Sequence, residues 1–323
     1  MSSHSSFKPA SATSFCAIGV DVGGTKIAAG IVTFPGAGMV ARRALPTFPK
    51  RGGEPVLADV LRLAKELIEE ASELELRVGA IGVGVCELVD LTGQIASANC
   101  ISWEGIPIQE QLQPLAPTFV EADVRAAALG EAMFGAGHQF KTFIYLTVGT
   151  GISSCFVIDG CPFPGARGAA GTIASSPLTA VCERCGNIEH RTLEEIASGP
   201  ALVTRYNLRA AGRVHSAEEV IAAANAGDPA ATAVVRSAGD ALGKTVALLV
   251  NALDPEAVVV GGGLGSSGGT FWECFEATTR RLIWSDLNRN LPMLTAGLKG
   301  DAGLIGAAAA ACLKLKSEKA SQP

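Results

Sequence analysis

The feature that most constrains the fold is an apolar stretch that breaks once at a pair of glycines and then resumes. It covers residues 18–32 with the sequence IGVDVGGTKIAAGIV and carries one acid, Asp21. Two apolar runs joined by a short glycine turn are typical of a β-hairpin. Bare glycine backbone lets N–H groups approach an anion, and Asp21 is costly to bury without a hydrogen bond or a cation. The pattern predicts a phosphate-binding hairpin with Asp21 beside Mg²⁺, with an ordinary hairpin as the open alternative.

A second stretch, residues 143–158, repeats this arrangement with the sequence FIYLTVGTGISSCFVI. The two copies are separated by roughly the length of a domain. Thr147 occupies the place that Asp21 holds in the first copy, so only the first copy offers a carboxylate. We expect the two hairpins, one from each half of the chain, to hold a polyphosphate between them.

Two common nucleotide-binding motifs do not fit. A Walker loop leads into a helix, whereas Lys26 is followed by a run with strand character, IAAGIV. The dinucleotide fingerprint requires a third glycine where this chain has Ser266 after GGGLG.

Composition excludes several classes of protein. The 323 residues, 48% of them hydrophobic, suffice for two domains. A net charge of −5 with scattered basic residues argues against nucleic-acid binding, and no apolar stretch is long and pure enough for a membrane span. Residues 1–14 are polar and serine-rich, which predicts a disordered tail. The nine cysteines, mostly in apolar runs, favour reduced thiols and a cytoplasmic protein.

Hydrophobic periodicity predicts helices and strands in alternation. The clearest helix covers residues 54–71, with an apolar face of Val56, Val60, Leu63 and Leu67. Other helices are predicted at 124–134, 228–253, 271–286 and 301–314, and strands at 39–48, 78–85 and 257–260. Mixed elements in two similar halves predict an α/β protein.

Eight segments, in order along the chain, resemble the ROK family of sugar kinases within the actin/hexokinase/Hsp70-like ATPase superfamily. They are DVGGTK at 21–26, EAD at 121–123 with AAALGE at 126–131, LTVGTGI at 146–152, GARGAAG at 165–171, CGN at 185–187, LEEIASG at 193–199, VGGG at 260–263 and AGLIGAA at 302–308. The resemblance implies a two-domain ribonuclease H-like, actin-like ATPase fold. It implies a small domain at 15–121, rejoined by about 307–323, and a larger domain at 122–306. ATP–Mg²⁺ and a sugar would meet in the cleft between them, and the family is often dimeric.

The resemblance also assigns roles to single residues. Asp123 matches the family's catalytic base, whereas its position at a predicted helix start would also suit simple N-capping. Asp21 would act on Mg²⁺. The phosphates would be lined by Gly23, Gly24, Thr25, Lys26, Thr150 and Gly151, and the adenosine would pass over Gly261, Gly262 and Gly263.

The sugar site departs from the family pattern. Thr172 and Ser175 replace the family's sugar-binding Glu and His, Ala122 replaces its Asn, and Cys86-Glu87 replaces its Pro-Gly. Asn99, Asp123 and Glu194 are retained. Two arginines, Arg125 and Arg167, stand where the family tends to carry Asn. We therefore expect an acidic sugar, a polyol or a cyclitol rather than glucose, unless the arginines only pair with local acids such as Glu121 or Glu131.

A metal motif is altered as well. The run CERCGNIEH places Cys182, Cys185 and His190 at a spacing known from zinc sites, but it supplies three ligands where a closed structural site needs four. Zinc binding and two free thiols in a loop both remain open.

Two functions follow from these patterns. The first is an ATP-dependent kinase for a sugar-like small molecule. The second is an inactive sugar-binding or regulatory protein of the same fold. The presence of both Asp21 and Asp123 favours the kinase, because a pure binder needs neither carboxylate.

Overall fold

A computed structural model describes residues 15–103, 105–182, 184–210 and 212–320. The tail predicted at residues 1–14 lies outside the described residues. Within them, two five-stranded sheets and a separate two-stranded hairpin alternate with helices.

The first sheet has the strand order β3-β2-β1-β4-β5. Strands β1, β2 and β3 form an antiparallel meander, whereas β4 and β5 run parallel to β1. The bounds are β1 Phe15–Val22, β2 Lys26–Thr33, β3 Gly38–Pro46, β4 Arg77–Val85 and β5 Thr118–Ala122. The hairpin predicted at residues 18–32 is therefore β1 and β2.

The second sheet repeats this topology with the order β12-β11-β6-β7-β8. Strands β6, β7 and β8 form the antiparallel meander, and β11 and β12 are the parallel additions. The bounds are β6 Phe143–Val148, β7 Ile152–Ile158, β8 Cys161–Phe163, β11 Ala257–Gly261 and β12 Met293–Thr295. The internal repeat read from the sequence is thus a repeat of a whole sheet topology.

Helices pack on both sheets, and the small hairpin is inserted between strands β8 and β11 of the second sheet. The helices are α1 Gly53–Glu73, α2 Ile108–Leu112, α3 Asp123–Phe134, α4 Leu193–Ala197, α5 Gly199–Asn207, α6 Ala217–Asn225, α7 Pro229–Leu253, α8 Gly269–Leu282 and α9 Ala302–Ala320, and the hairpin strands are β9 Pro177–Val181 and β10 Ile188–Thr192. The predicted apolar face of α1 is buried against the first sheet. Helix α8 ends four residues before the predicted end, because Ile283 turns to an extended conformation and is buried.

The last helix packs on the first sheet, and glycines in that sheet permit the close approach. A Cβ atom at Gly19 in β1 would lie 2.0 Å from the Leu304 carbonyl oxygen, and one at Gly82 in β4 would lie 1.9 Å from that of Ala307. Helix α9 also packs against α3, where Gly306 faces the backbone of Ala126. This packing brings the start of α9 beside the end of β1. None of the described helices is long and apolar enough to cross a membrane.

Candidate functional site

Parallel pairing brings the ends of three strands of the first sheet to one edge. Asp21 lies at the end of β1, and Asp123 follows β5 directly as the first residue of α3. Strand β4 lies between them, with Val85 paired to both Val22 and Ala122. Carboxyl ends of parallel strands are common places for binding sites in α/β proteins. The two acids, 102 positions apart in number, therefore belong to one edge of one sheet.

The two glycine hairpins face each other across this edge. In the first, the N–H of Gly23 donates to the carbonyl of Lys26 at 3.0 Å, and the hydroxyl of Thr47 donates to the carbonyl of Gly23 at 2.6 Å. In the second, the N–H of Gly149 donates to the carbonyl of Gly151 at 2.9 Å. The hydroxyls of Thr25 and Thr150 are 3.3 Å apart, so the tips of the hairpins meet.

Two adjoining cavities open between the sheets. The first cavity has a volume of about 650 Å³ and its lining includes Gly24, Glu87, Asn99, Thr150, Gly151, Thr172 and Glu194. The second has a volume of about 740 Å³ and its lining includes Asp21, Lys26, Tyr145, Gly262, Gly263, Lys299 and Gly303. Asp123, Val124 and Thr147 line both. The cavities thus form one continuous cleft with Asp123 at their junction.

Asp123 has the surroundings of a general base. The N-cap of α3 is Ala122, so Asp123 does not cap its helix, and one of its oxygens accepts a 2.6 Å hydrogen bond from the N–H of Val124. Burial raises the pKa of Asp123 to about 7, the negative charges of Asp21 and Glu87 add to the rise, and the Val124 hydrogen bond opposes it. A carboxyl with a pKa near neutrality can accept a proton from an alcohol under physiological conditions.

Asp21 has the surroundings of a cation-binding carboxylate. Burial raises the pKa of Asp21 to about 6, Lys26 opposes the rise and Asp301 adds to it. A Cβ atom at Gly303, the second residue of α9, would lie 2.7 Å from the Asp21 carboxyl carbon, so only glycine leaves room there. A half-buried carboxylate that faces a cavity, with its charge only partly compensated, gains most from a hard cation such as Mg²⁺, which prefers oxygen ligands. Asp21 therefore fits the role of a magnesium-binding group.

Glu194 and Asn99 both line the first cavity. Glu194 is in the first turn of α4, and its carboxylate accepts a 2.7 Å hydrogen bond from the N–H of Ile152. Asn99 lies in the loop between β4 and α2 with an exposed side chain. Thr172 lines the same cavity, but its hydroxyl donates to the carbonyl of Ala169 at 2.9 Å.

Arg125 differs from the expectation that it binds an acceptor. Its guanidinium is buried and donates to the carboxylate of Glu121, to the carbonyl of Gly168 and to the carbonyl of Val89, with Nε–Oε1 at 2.7 Å and both carbonyl contacts at 2.6 Å. Every guanidinium nitrogen therefore has a partner within the protein. The pairing of Arg125 with Glu121, one of the two alternatives left open by the sequence, is therefore present. Arg125 also binds two loops through the carbonyls of Val89 and Gly168.

Arg125 still borders the first cavity, whereas four predicted site residues line neither cavity. Arg167 is exposed and lines neither cavity. Gly261 is the last residue of β11, where a Cβ atom would meet the Tyr145 hydroxyl at 2.8 Å, and it also lies outside both linings. Gly23 and Thr25 shape the first hairpin, while Gly24 alone of that turn reaches a cavity.

The structure brings together two of the three predicted zinc ligands: the side chains of Cys182 and Cys185 hydrogen-bond to each other, whereas His190 lies apart from them. Strand residues alternate between faces, and the Arg191 Nε donates to the Glu189 carboxylate at 2.7 Å, which places those two side chains on one face of β10 and His190 on the other. Glu189 is also the residue that hydrogen-bonds to Cys182. Among the residues described, no group of three or more His, Cys, Asp or Glu side chains could hold a metal ion. The zinc prediction for Cys182, Cys185 and His190 is therefore not supported by their placement.

Several lining residues were not candidates from the sequence. Glu87 carries a signal in the sequence, since an acid stands where the resembled family has glycine, but that departure does not by itself predict a role in lining the cavity. Tyr145, Lys299 and Gly303 reach the second cavity through strand pairing and the packing of α9. Tyr145 belongs to the repeated stretch at 143–158 and Gly303 to the family-like segment at 302–308, but neither pattern marks them as lining residues, and Lys299 belongs to no pattern.

The sequence model of the ROK family matches residues 17–313. A glucokinase from Halalkalibacterium halodurans is 29% identical over 310 residues, which cover 90% of this chain and 92% of the relative. The alignment therefore covers nearly the full length of both this chain and the glucokinase.

Solved structures agree with this similarity. A ROK family glucokinase from Streptomyces griseus, in complex with glucose and AMPPNP, has a TM-score of 0.78 at 28% identity and covers 92% of this chain and 99% of its own. A ROK hexokinase from Thermus thermophilus has a TM-score of 0.75 at 34% identity and covers 94% of this chain and 99% of its own. The predicted two-domain actin-like ATPase fold is confirmed by these neighbours.

Proposed function

Because this chain belongs to the ROK family, we propose that it transfers the terminal phosphate of ATP to a hydroxyl of a neutral sugar-like acceptor in the cleft at Asp123. At the level of class, the glucokinase relatives and ROK kinase structures make it an ATP-dependent carbohydrate kinase. The observation that carries the residue-level proposal is the position of Asp123 at the junction of the two cavities.

Asp123 is the proposed catalytic base. It would accept the proton of the attacking hydroxyl, and its pKa of about 7 lets it be deprotonated before transfer and protonated after it. An acceptor in the first cavity and a phosphate held near Thr147 and Thr150 would both be within reach of that carboxylate. The buried setting strengthens each electrostatic contact relative to water.

The nucleotide side is proposed from both hairpins. Gly24, Thr150 and Gly151 would donate to the phosphates, Lys26 would add a positive charge, and Gly262 and Gly263 would leave room for the adenosine. A Cβ atom at Gly262 would lie 2.3 Å from the Val148 carbonyl oxygen, and its φ of 82° also favours glycine. Mg²⁺, when bound by Asp21, would neutralise charge on the phosphate oxygens.

The acceptor is proposed to be uncharged. Arg125 is committed to Glu121 and two carbonyls, and Arg167 lies outside both cavities, so neither supports an acidic sugar. Three carboxyl-bearing residues, Glu87, Asp123 and Glu194, line the first cavity. Arg125 lines it as well, but each of its guanidinium nitrogens already donates to a group of the protein. The carboxylate of an acidic sugar bound in this cavity would be repelled by these carboxylates. We therefore propose a neutral sugar, a polyol or a cyclitol as the acceptor.

We further propose that glucose is not the preferred acceptor. This rests on Thr172, which lines the first cavity where the resembled family has a sugar-binding carboxylate, because each lost partner of a buried polar group costs about 1–3 kcal/mol. Ser175, in place of the family's imidazole, is exposed and lines neither cavity, so it carries no part of this argument. The glucokinase relatives give no support to the exclusion of glucose, so glucose belongs in the first assay.

The test measures the release of ADP when the protein is incubated with ATP, Mg²⁺ and each member of a panel of acceptors. The panel contains glucose, N-acetylmannosamine, a hexitol, a neutral cyclitol and a uronic acid. Turnover on a neutral acceptor with none on the uronic acid supports the proposal. Best turnover on the uronic acid contradicts the neutral acceptor, and best turnover on glucose contradicts the preference against it.

We also propose that the chain works as a cytoplasmic homodimer, with domains at 15–121 plus 307–323 and at 122–306. Support for the dimer comes from the family resemblance. Support for the compartment comes from nine cysteines that are all free thiols. Light scattering at micromolar concentration tests the dimer, and a mass of 33.0 kDa, that of one chain, would contradict it.

A further inference from the structure

Glu87 is a buried carboxylate that the proposed mechanism does not use. It lies two residues after β4, only 5% of its surface is exposed, and it borders the first cavity. One carboxylate oxygen accepts hydrogen bonds from the backbone N–H groups of Cys100 and Ile101, at 2.6 and 2.9 Å. The other accepts from the N–H of Asn99 at 2.9 Å and from the hydroxyl of Ser97. Four donors from one short segment thus converge on one side chain.

That segment, residues 97–101, depends on side chains for its position. The segment belongs to no helix or strand. Besides the bonds to Glu87, the Ser97 hydroxyl accepts a 2.9 Å hydrogen bond from the N–H of Leu88. Backbone N–H groups outside regular structure need partners when they are shielded from water. Glu87 supplies those partners for three consecutive residues, 99–101.

The segment forms one wall of the first cavity. Ser97, Asn99 and Cys100 line it, and a Cβ atom at Gly24 would lie 2.7 Å from the Cys100 sulfur, so the same wall touches the first hairpin. Asn99 is the residue on this wall that the family resemblance assigns to the sugar site, and we take it as the acceptor contact here. A shift of the segment would therefore move Asn99 relative to Asp123 on the neighbouring strand end.

We propose that Glu87 is a positioning residue for acceptor binding, which fixes residues 97–101 and thereby holds Asn99 in the first cavity. The role rests on the proposed function, since Asn99 matters only if this cavity binds the acceptor. A carboxylate suits it because both oxygens face N–H or O–H donors and a charged acceptor makes stronger hydrogen bonds than a neutral one. A glutamine amide at position 87 would replace one acceptor oxygen by an NH₂ group, which cannot accept the two hydrogen bonds donated to that oxygen.

The direct test is Glu87→Gln, with Asn99→Ala, the double variant and Glu69→Gln as a control. Glu69 is an exposed residue of α1 that lines neither cavity. We expect Glu87→Gln to raise the acceptor KM about tenfold and to leave the KM for ATP within about twofold, because residues 97–101 include no proposed nucleotide contact. In the Asn99→Ala background the same substitution should raise the acceptor KM less than about twofold, since the two residues act as a unit. Glu69→Gln should match the parent.

Hydrogen–deuterium exchange gives a readout that needs no activity. Glu87→Gln should speed exchange of the amides at residues 99–101 and leave α1 unchanged. Equal tenfold effects in both Asn99 backgrounds, a loss confined to kcat, or unchanged exchange would each overturn the positioning role. If Glu87→Gln does not fold, Glu87→Asp, which keeps the charge on a shorter side chain, is expected to give the same selective rise in acceptor KM. A parent without kinase activity would defeat the proposed function, while the exchange result would still decide whether Glu87 holds the segment.

Discussion

The hydroxyl oxygens of Thr25 and Thr150 lie 3.3 Å apart, although 125 positions separate the two residues. Each comes from the turn of a glycine hairpin, one in each five-stranded sheet. Thr150 lines the first cavity, so the contact lies beside the cleft that Asp123 borders. A phosphate chain bound there would touch both sheets at once, which links nucleotide binding to the relative position of the two halves.

The first prediction concerns this contact. Thr150→Val removes a hydroxyl that lines the first cavity while nearly keeping the side-chain volume. We expect kcat/KM for ATP to fall about tenfold, the value of one lost hydrogen bond to a charged group, with the acceptor KM nearly unchanged. Steady-state kinetics with each substrate varied in turn measures this. Thr179→Val, in the exposed β9 hairpin, is the control, and an equal effect of both variants would contradict the assignment.

The second prediction concerns pH. Asp123 must be deprotonated to accept a proton, and its pKa is about 7, so kcat/KM for the acceptor should rise with pH through about 7. A profile that is flat between pH 5.5 and about 8.5 would contradict Asp123 as the base.

The same pKa shift predicts a stability effect of opposite direction. The pKa of Asp123 is raised from 3.8 to about 7 in the folded protein, so between these values the folded state keeps a proton that the unfolded state has lost. The free energy of unfolding therefore falls as pH rises through this window. Asp123→Asn, which cannot ionise, should have a higher Tm than the parent at pH 8 and lose that advantage toward pH 4. Asp159→Asn, in an exposed turn, should follow the parent, and a Tm of Asp123→Asn below the parent at pH 8 would contradict the buried charge.

The third prediction separates the two arginines. Arg125→Lys leaves the carbonyls of Val89 and Gly168 short of donors, which should destabilise the fold by about 1–3 kcal/mol. Arg167→Ala should change neither the Tm nor the acceptor KM by a measurable amount, because Arg167 is exposed and outside both cavities. Thermal unfolding and kinetics of both variants check this. A tenfold rise in acceptor KM for Arg167→Ala would return that residue to the acceptor site.

The sequence was sufficient for features that depend on local pattern. The hairpin at Asp21 and its repeat at Thr147 are visible as apolar runs around glycine, and each became the first hairpin of a sheet. The addition of parallel strands β11 and β12 to the second sheet, which matches β4 and β5 in the first, is not predictable from the second hairpin alone. It depends on pairing across more than a hundred residues, as between β6 and β11.

Contacts between distant loops were not predictable in the same way. Arg125 finds its carbonyl partners 36 and 43 positions away, and a carbonyl has no sequence signature. Cys182, Cys185 and His190 show the reverse case, in which a suitable spacing fails because alternation along β10 turns His190 away from the face of Glu189. Glu87 combines both: its departure from the family pattern was visible, but its four donors were not.

The measurement that most directly tests the central claim is phosphoryl transfer by Asp123→Asn, compared with the parent on the parent's best acceptor with ATP and Mg²⁺. Loss of the general base should reduce kcat by about 10²–10⁴-fold, while the ATP dissociation constant stays within about threefold, because Asp123 acts on the hydroxyl rather than on the nucleotide. Retention of more than about a tenth of the parent's kcat in the folded variant would contradict the account.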